Sequence, residues 1–271
     1  MIKMYWWQGG GGKGNFGDKL APALVQALTG QEVAYSTIER ADILAIGSVL
    51  EPWFWPQESW LNFQGHIWGA GRMFGKVTMP FPRANILSVR GELTLNTLGG
   101  FGTRETFVGD PGLLCGHLRR SVGRPKFKIG IWPHWSEVRN AQIQALADSS
   151  SDILLIDPCG GIRETIDRAA SCEAIAASSL HGLVTADALG IPNCWLRLET
   201  GKEDQVGMPM FKYLDYFSAF QCAPPVPQQL QLSTSLDSLL ASMQSDRHTD
   251  VTRLQDDLLS VFPYSRSQML V

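Results

Sequence analysis

The sequence has little of what exported, membrane-spanning or nucleic-acid-binding proteins require. Its 5 cysteines are scattered through 271 residues without a Cys-x-x-Cys pair. We therefore expect free thiols in a reducing cytoplasm rather than a disulfide framework or a zinc site. No apolar run approaches the roughly 20 residues of a membrane span, and the start of the chain lacks the pattern of a secretory signal. The net charge of −3 argues against a nucleic-acid partner.

The sequence does contain enough apolar residues for a large core, at 44% hydrophobic against 18% charged. Short apolar runs alternate with helical patterns. The predicted strands cover residues 2–7, 43–46, 66–68, 86–89, 106–108, 128–132, 153–156, 174–177 and 193–196. The predicted helices cover residues 18–28, 92–98, 141–147, 162–170 and 180–189. Strands this apolar, joined by helices, predict parallel sheets that are covered on both faces.

Two breaks divide this pattern. Basic residues, glycine and proline interrupt it at 119–126, and the run Ala223-Pro224-Pro225-Val226-Pro227 interrupts it again. We predict an α/β protein with two Rossmann-like domains facing a cleft, over residues 1–122 and 123–222. Residues 223–271 are expected to form a C-terminal helical tail that packs back on the N-terminal domain.

A glycine-rich segment links the first predicted strand to the first predicted helix. It reads Gly9-Gly10-Gly11-Gly12-Lys13-Gly14-Asn15-Phe16-Gly17-Asp18 and contains Gly-x-Gly-x-x-Gly twice. That pattern is typical of dinucleotide sites but arises by chance in any glycine-dense loop. A Walker-type loop is excluded because Lys13 is followed by glycine rather than Ser or Thr. Asp18 either caps the helix or accepts hydrogen bonds from sugar hydroxyls.

Two hydroxyls and an imidazole stand where a predicted buried strand ends and the next helix begins. These are Ser178, Ser179 and His181. The carboxyl edge of a parallel sheet is where ligands bind, and the free amides of a first helical turn suit phosphate or carboxylate. The alternative is that Ser179 only caps the helix and His181 is a core residue.

Two more polar residues follow predicted strands. Arg90 comes directly after the strand at 86–89 and needs an anionic partner, either a structural aspartate or a ligand. His134 lies just beyond the strand at 128–132. Each therefore belongs at a carboxyl edge of the predicted sheets, Arg90 in the first half of the chain and His134 in the second half.

Two segments leave alternatives open. Lys212 and Asp215 lie close together and are either functional or an ordinary surface ion pair. The aromatic loop at 51–60, with Trp53 and Trp55, could stack on sugars, touch a membrane interface or form a small satellite core.

Together these segments resemble the polysaccharide pyruvyl transferase family, most closely the bacterial ketal-pyruvate transferases of the succinoglycan and xanthan type. The similar motifs run in family order over most of the chain. They are Asn15-Phe16-Gly17-Asp18, Ile46-Gly47-Ser48-Val49-Leu50, Trp68-Gly69-Ala70-Gly71, Val89-Arg90-Gly91, Gly109-Asp110-Pro111-Gly112-Leu113-Leu114, Pro133-His134, Ser178-Ser179-Leu180-His181-Gly182-Leu183, Gly190-Ile191-Pro192 and Phe211-Lys212-Tyr213.

The resemblance implies a GT-B-like fold with the acceptor on the N-terminal side and the donor on the C-terminal side. It implies transfer of a pyruvyl group from phosphoenolpyruvate to a sugar of an exopolysaccharide repeat unit. The product would be a cyclic pyruvate ketal, expected to be 4,6-linked, with release of phosphate. Phosphoenolpyruvate serves as donor substrate, and neither a cofactor nor a metal is expected.

Phosphoenolpyruvate carries a carboxylate and a phosphate, so its site must concentrate cations and amide donors. We expect Arg90, Lys212, Ser178, Ser179 and the amides near His181 to hold these groups. Some family members have arginine directly before Leu-His, where this chain has Ser179, so that arginine's role is not carried over.

The transfer also needs an acid that protonates the donor methylene and a group that orients or deprotonates the acceptor hydroxyl. His181 or His134 is the expected acid, since imidazolium gives up a proton near neutral pH. Asp18 would orient or deprotonate the acceptor hydroxyl with Asn15 as a hydrogen-bonding partner. Trp53 and Trp55 are the remaining acceptor-side residues.

The resemblance implies an acceptor that is the terminal sugar of a lipid-linked oligosaccharide, met at the inner face of the cytoplasmic membrane through peripheral contact. Three other functions remain open from the sequence. They are a nucleotide-sugar-dependent GT-B glycosyltransferase, a dinucleotide-dependent oxidoreductase that rests only on the glycine run, and a non-catalytic carbohydrate-binding component of polysaccharide assembly.

Overall fold

The computed structural model describes residues 1–9, 14–51, 56–76, 81–99, 105–120, 123–198, 210–220, 222–244 and 247–267. Within these ranges the chain forms two parallel sheets with helices around them, so the predicted pair of parallel-sheet α/β domains is confirmed. The proposed limits at 122 and 222 stay a prediction. In the described part of the chain, no helix is both long and apolar enough to cross a bilayer.

The first sheet has six parallel strands in the order β2-β1-β3-β4-β5-β6. Its strands are β1 (Ile2–Tyr5), β2 (Val33–Tyr35), β3 (Ile43–Leu44), β4 (His66–Ala70), β5 (Asn85–Val89) and β6 (Phe107–Val108). The helices that accompany it are α1 (Phe16–Thr29), α2 (Gln57–Asn62) and α3 (Glu92–Thr97), with 3-10 helices at Ile38–Arg40 and Pro111–Leu118.

The second sheet has five parallel strands in the order β11-β10-β9-β7-β8. They are β7 (Ile129–Trp132), β8 (Ile153–Leu155), β9 (Ile175–Ala177), β10 (Asn193–Leu198) and β11 (Gln228–Leu230). The helices are α4 (Ala141–Asp148), α5 (Ile162–Ala169), α6 (Leu180–Ala188), α7 (Phe211–Phe217), α8 (Leu236–Leu240) and α9 (His248–Ser260).

The elements absent from the sequence prediction are short or lie at the rim. β2 and β11 are three-residue edge strands with mostly exposed or half-exposed side chains, and α2 buries none of its residues. Such segments lack the apolar periodicity on which a prediction rests. The longer strands and helices were predicted because nearly all of their inward positions are apolar.

One hydrophobic core joins the two halves. Leu20, Leu24 and Leu28 of α1 are all buried in it, as their spacing predicts. At its centre the Phe16 ring meets the Trp132 indole edge-on, with centroids 4.9 Å apart. A backbone hydrogen bond of 2.8 Å from Phe16 N to the Pro158 carbonyl also crosses between the halves. The two sheets are therefore held together at the start of α1.

Helix α9 also contacts both halves. The Trp68 indole donates a hydrogen bond of 2.9 Å to the Leu258 carbonyl, and α9 packs on β6 and on the Pro111–Leu118 helix. Just before α9, Arg247 pairs with Asp187 of α6 at 2.9 Å. These contacts fix the last described helix against both domains.

Candidate functional site

A cavity of about 460 Å³ lies between the carboxyl ends of the two sheets. Its walls come from the segments that follow β1, β3, β4 and β5 on one side and β7, β8 and β9 on the other. Ligands of open parallel sheets bind at this edge. The lining residues are Trp7, Asn15, Phe16, Asp18, Gly47, Ser48, Val49, Met73, Arg90, His134, Trp135, Pro158, Ser179, Leu180, His181 and Lys212.

The cavity brings together seven of the ten side chains singled out from the sequence. They are Asn15, Asp18, Arg90, His134, Ser179, His181 and Lys212. Ser178 is buried beside the cavity but does not line it. Trp53 and Trp55 lie outside the described residues, so their expected contact with the acceptor stays a prediction.

Arg90 is fully buried and held from three directions. Its Nε donates to Asp215 Oδ2 at 2.8 Å and one terminal nitrogen donates to Ser48 Oγ at 3.2 Å. The other terminal nitrogen donates to the Arg72 carbonyl. Guanidinium has five N–H groups, so the rest remain for a ligand. Of the two partners expected for this arginine, a structural aspartate is therefore present.

Asp215 connects α7 to the segment that carries Arg90. Its carboxylate accepts hydrogen bonds of 2.6 Å from both the backbone N and the Oγ1 of Thr94. Gly91 permits this approach, because a Cβ there would overlap the Asp215 carbonyl. The alternative of a surface ion pair between Lys212 and Asp215 is wrong, because both residues are buried and Asp215 pairs with Arg90.

Lys212 is the second cation of the cavity. Its ammonium lies 5.1 Å from the centroid of the Tyr213 ring. Among the described residues, no carboxylate lies within ion-pair distance of it. Burial and the charge of Arg90 lower the pKa of Lys212 to about 8. The amine is thus still mostly protonated at neutral pH and lacks a counter-ion of its own.

Asp18 supplies a buried carboxyl group on the opposite wall. Its backbone N donates to Asn15 Oδ1 at 3.2 Å, so Asn15 is the residue that caps α1, and the alternative that Asp18 is the cap is wrong. Burial raises the pKa of Asp18 to about 7, and Lys212 partly opposes that rise. Its Oδ2 is buried without a hydrogen-bond partner. An atom of this kind is available to a ligand hydroxyl.

His181 lies between the cavity and a second buried carboxyl group. Its Nε2 is 3.7 Å from Asp110 Oδ2, and both atoms are buried without hydrogen-bond partners. Burial, Arg90 and Lys212 lower the pKa of His181 to about 3, whereas burial raises the pKa of Asp110 to about 6. The imidazole is therefore neutral at neutral pH, and an anion beside it would raise its pKa.

The position of His181 depends on Gly17. A Cβ on Gly17 would overlap the imidazole, so only glycine allows α1 to pack on it. We expect Gly17→Ala to displace the ring and lower turnover by about a hundredfold, because misplacing a reacting group by about 1 Å costs that much. Initial rates of the transfer that the motifs imply would measure this loss.

Gly116→Ala is the matched control, because a Cβ at Gly116 meets nothing within 4 Å. It should leave turnover unchanged. Equal loss in the two variants, or full activity in Gly17→Ala, would contradict the assigned position of His181.

His134 and Ser178 form a separate cluster with Glu137. The Ser178 hydroxyl donates to Glu137 Oε2 and accepts from the His134 backbone N at 3.0 Å. His134 Nδ1 lies 2.8 Å from Ser136 Oγ, and burial with nearby Lys212 lowers the His134 pKa to about 3. The Ser178 hydroxyl thus donates and accepts its hydrogen bonds within the protein, and Ser178 lies behind the cavity wall.

Ser179 is the N-cap residue directly before α6, but its side chain makes no capping hydrogen bond. It lines the cavity next to His181. The alternative that Ser179 only caps the helix therefore does not match the structure, and its hydroxyl stands free for a ligand.

Sequence reasoning missed four residues of this site. Asp110 and Glu137 were not given roles, although Asp110 lies in a quoted motif. Trp7 and Trp135 line the cavity but carried no pattern of their own. Position after a predicted strand could have found Trp135, whereas Trp7 lies inside the strand predicted at 2–7, which in the structure ends at Tyr5. The described residues contain no group of three or more His, Cys, Asp or Glu placed to hold a metal ion.

The fold and site together define a two-domain α/β protein with a cavity between its sheets, in which two buried cations lie beside two imidazoles. Residues 81–199 match the family model described as polysaccharide pyruvyl transferase. This region is therefore similar to the polysaccharide pyruvyl transferase family, and the resemblance expected from the motifs is confirmed. The matched region includes Arg90, Asp110, His134 and His181.

Two relatives extend this finding. The chain is 28% identical over 246 residues to the succinoglycan biosynthesis protein ExoV of Rhizobium meliloti, covering 88% of this chain and 71% of that protein. It is 30% identical over 139 residues to an uncharacterized protein of Acanthamoeba polyphaga mimivirus, covering 49% of this chain and 47% of that protein. The chain thus spans about half the length of the viral relative. No solved structure matches.

Proposed function

We propose that this chain transfers a pyruvyl group from phosphoenolpyruvate to a sugar of an exopolysaccharide repeat unit, forming a cyclic ketal and releasing phosphate. The observation that carries the proposal is the pairing of two buried cations, Arg90 and Lys212, in one cavity with His181 and Asp18. The family match and the printed name of the rhizobial relative support pyruvyl transfer in exopolysaccharide synthesis.

The donor would sit between the two cations. Lys212 has no carboxylate partner among the residues the structure describes, and Arg90 keeps N–H groups free beside its bonds to Asp215 and Ser48. A carboxylate and a phosphate on one three-carbon molecule match two such cations. The Ser179 hydroxyl and the first amides of α6 add hydrogen-bond donors nearby.

The proposed transfer needs one proton donor and one proton acceptor on the protein. A proton goes to the methylene carbon of phosphoenolpyruvate, which makes C2 electrophilic, and a sugar hydroxyl adds there and loses its proton. Phosphate then leaves with the C2–O bond electrons, and the second hydroxyl closes the ketal ring. The proton from the second hydroxyl leaves with the phosphate.

His181 is the better placed of the two candidate acids. Its Nε2 lies 3.7 Å from the Asp110 carboxyl, whereas the nearest partner of His134 Nδ1 is the Ser136 hydroxyl at 2.8 Å. A bound anion raises the pKa of an imidazole, and the Asp110 carboxyl stabilises the imidazolium once it forms. His134 would then contact the donor without giving up the proton.

Asp18 would deprotonate the acceptor hydroxyl. Its pKa of about 7 leaves a large ionised fraction at neutral pH, and an ionised carboxylate accepts a proton from a sugar hydroxyl. Asn15, at the same end of α1, would hold a second hydroxyl. We further propose a GT-B arrangement of the two domains, a cytoplasmic location and a lipid-linked acceptor at the inner membrane face, with no metal.

Incubation with phosphoenolpyruvate and candidate glycosides tests the function. We expect a product heavier than the glycoside by one ketal-linked pyruvate and one phosphate released per product. Binding of UDP-sugars without binding of phosphoenolpyruvate would instead favour a glycosyltransferase, and binding of glycosides alone would favour a non-catalytic component. Calorimetry with each compound separates these outcomes.

The ionisation of Lys212 predicts a pH limit on donor binding. The ammonium has a pKa of about 8, so it is charged below that pH and neutral above it. We expect kcat/KM for phosphoenolpyruvate to fall as pH rises through about 8. Lys212→Met should lower it by about 10- to 100-fold at pH 7, the value of one charge-assisted contact.

Lys212→Arg is the matched control, because guanidinium stays charged throughout this range. Its falling limb should move to higher pH. A limb that stays near 8 in Lys212→Arg would show that another group sets it and would remove Lys212 from the donor site.

A further inference from the structure

Two tryptophans meet where the cavity opens to solvent, one from each half of the chain. Trp7 follows β1 and Trp135 follows β7, with ring centroids 6.1 Å apart and planes inclined at 42°. Trp7 is 37% exposed and Trp135 is 45% exposed. By contrast, Trp68, Trp132 and Trp195 are buried. The exposed pair therefore stands apart from the tryptophans that build the core.

This pair leaves apolar surface in water at the rim of a charged cavity. Single exposed apolar residues are ordinary, but a joined aromatic patch beside a ligand cavity marks a binding surface. The centroid separation lies within the range of direct aromatic contact, about 4.5–7 Å. No ring fits between the two indoles, so a ligand would lie on their outer faces.

A pyranose ring fits such a surface. Its C–H groups form a flat apolar face, and equatorial hydroxyls project sideways in the plane of the ring. The indole face is apolar and electron-rich, which suits those C–H groups. A sugar stacked on the pair would keep its hydroxyl edge free to enter the cavity, where Asp18 offers a buried oxygen without a partner.

We propose that Trp7 and Trp135 form the sugar subsite of the cavity, a shared platform that binds the acceptor as a hexopyranose with a flat C–H face. This inference rests on the proposed function, which says that the bound sugar receives a pyruvyl group. The position of the sugar is inferred from the aromatic pair alone. Because one indole comes from each domain, the platform exists only while the two domains hold their present arrangement.

The competing explanation is that the two indoles only hold the domains together. Steady-state kinetics on the full chain separates the two, with methyl β-glucopyranoside and methyl β-galactopyranoside as probes. We expect Trp7→Ala and Trp135→Ala each to raise the KM for the preferred glycoside by about tenfold. The KM for phosphoenolpyruvate should stay within twofold, and Trp135→Phe should recover part of the loss.

Tyr35→Ala is the matched control, because Tyr35 is 47% exposed but does not line the cavity. It should change neither KM. Equal rises in both KM values for the tryptophan variants, or no rise in either, would overturn the subsite.

A direct binding measurement keeps the subsite distinguishable from the proposed function. If the unaltered protein transfers no pyruvate, saturation-transfer NMR with the same glycosides decides. Glycoside binding that is lost in Trp7→Ala and Trp135→Ala, but kept in Tyr35→Ala, supports the subsite while the proposed function fails. Absence of glycoside binding to the unaltered protein overturns the subsite.

Discussion

Arg90→Ala is expected to abolish pyruvyl transfer and to destabilise the fold as well. The substitution removes one member of a buried ion pair and leaves the Asp215 carboxylate without its cation. Breaking a buried pair in this way costs about 3–5 kcal/mol of unfolding free energy. The donor site also loses a charge-assisted contact, so kcat/KM for phosphoenolpyruvate should fall by at least about 10- to 100-fold.

Arg247→Ala provides the matched control for this prediction. Arg247 forms an equally buried pair with Asp187 at 2.9 Å, and neither residue lines the cavity. Denaturant unfolding should show a similar loss of stability in both variants. Assays below both unfolding transitions should show near-normal transfer in Arg247→Ala alone. If both variants lost transfer equally, the loss would come from the fold and not from the donor site.

His181→Gln is expected to lower kcat by about 100- to 10,000-fold, the range for removal of a general acid. Glutamine keeps a polar side chain of similar reach but cannot transfer a proton at neutral pH. The KM for phosphoenolpyruvate should change little, because Arg90 and Lys212 carry the donor's charge. Rapid-quench measurement of phosphate release in a single turnover would give the rate of the chemical step.

His134→Gln serves as the comparison. Its ring lies in the same cavity, but among the described residues no carboxylate lies within ion-pair distance of it, whereas His181 has Asp110. We expect its kcat to fall much less than that of His181→Gln. The reverse order would identify His134 as the acid and would leave the contact between His181 and Asp110 as a structural feature.

Much of this architecture could be predicted from the sequence, because each strand or helix carries its own apolar pattern. The strands around Ile131 and Ile175 are apolar along their length, and α1 carries leucines at helical spacing. In a parallel sheet the end of each strand also tells which residues meet. Arg90, His134 and His181 could therefore each be assigned to the carboxyl edge of a sheet before their contacts were known.

What the sequence could not supply is the identity of partners distant along the chain. Asp215 lies 125 residues after Arg90, and nothing in either local pattern connects the two. The same holds for His181 and Asp110, and for the indoles of Trp7 and Trp135. Such contacts depend on how two domains pack, which is a tertiary property.

Lys212 shows a subtler limit. Asp215 stands three positions further along the chain, and this closeness left an ordinary surface ion pair open. The pattern failed because α7 is buried and turns the carboxylate toward Thr94 instead. A charged residue on a buried helix pairs with the groups that surround it in the folded protein. Its spacing from another charged residue along the chain does not by itself decide the pairing.

The hydrogen bond from the Trp68 indole to the Leu258 carbonyl spans 190 residues, and it has a consequence for biosynthesis. Nascent chains fold from the N-terminus as they leave the ribosome. Until translation reaches α9, the first sheet carries an indole N–H whose acceptor has not yet been made, and the face that α9 later covers stays wet. The N-terminal domain therefore cannot complete this contact before residue 258 has been synthesised.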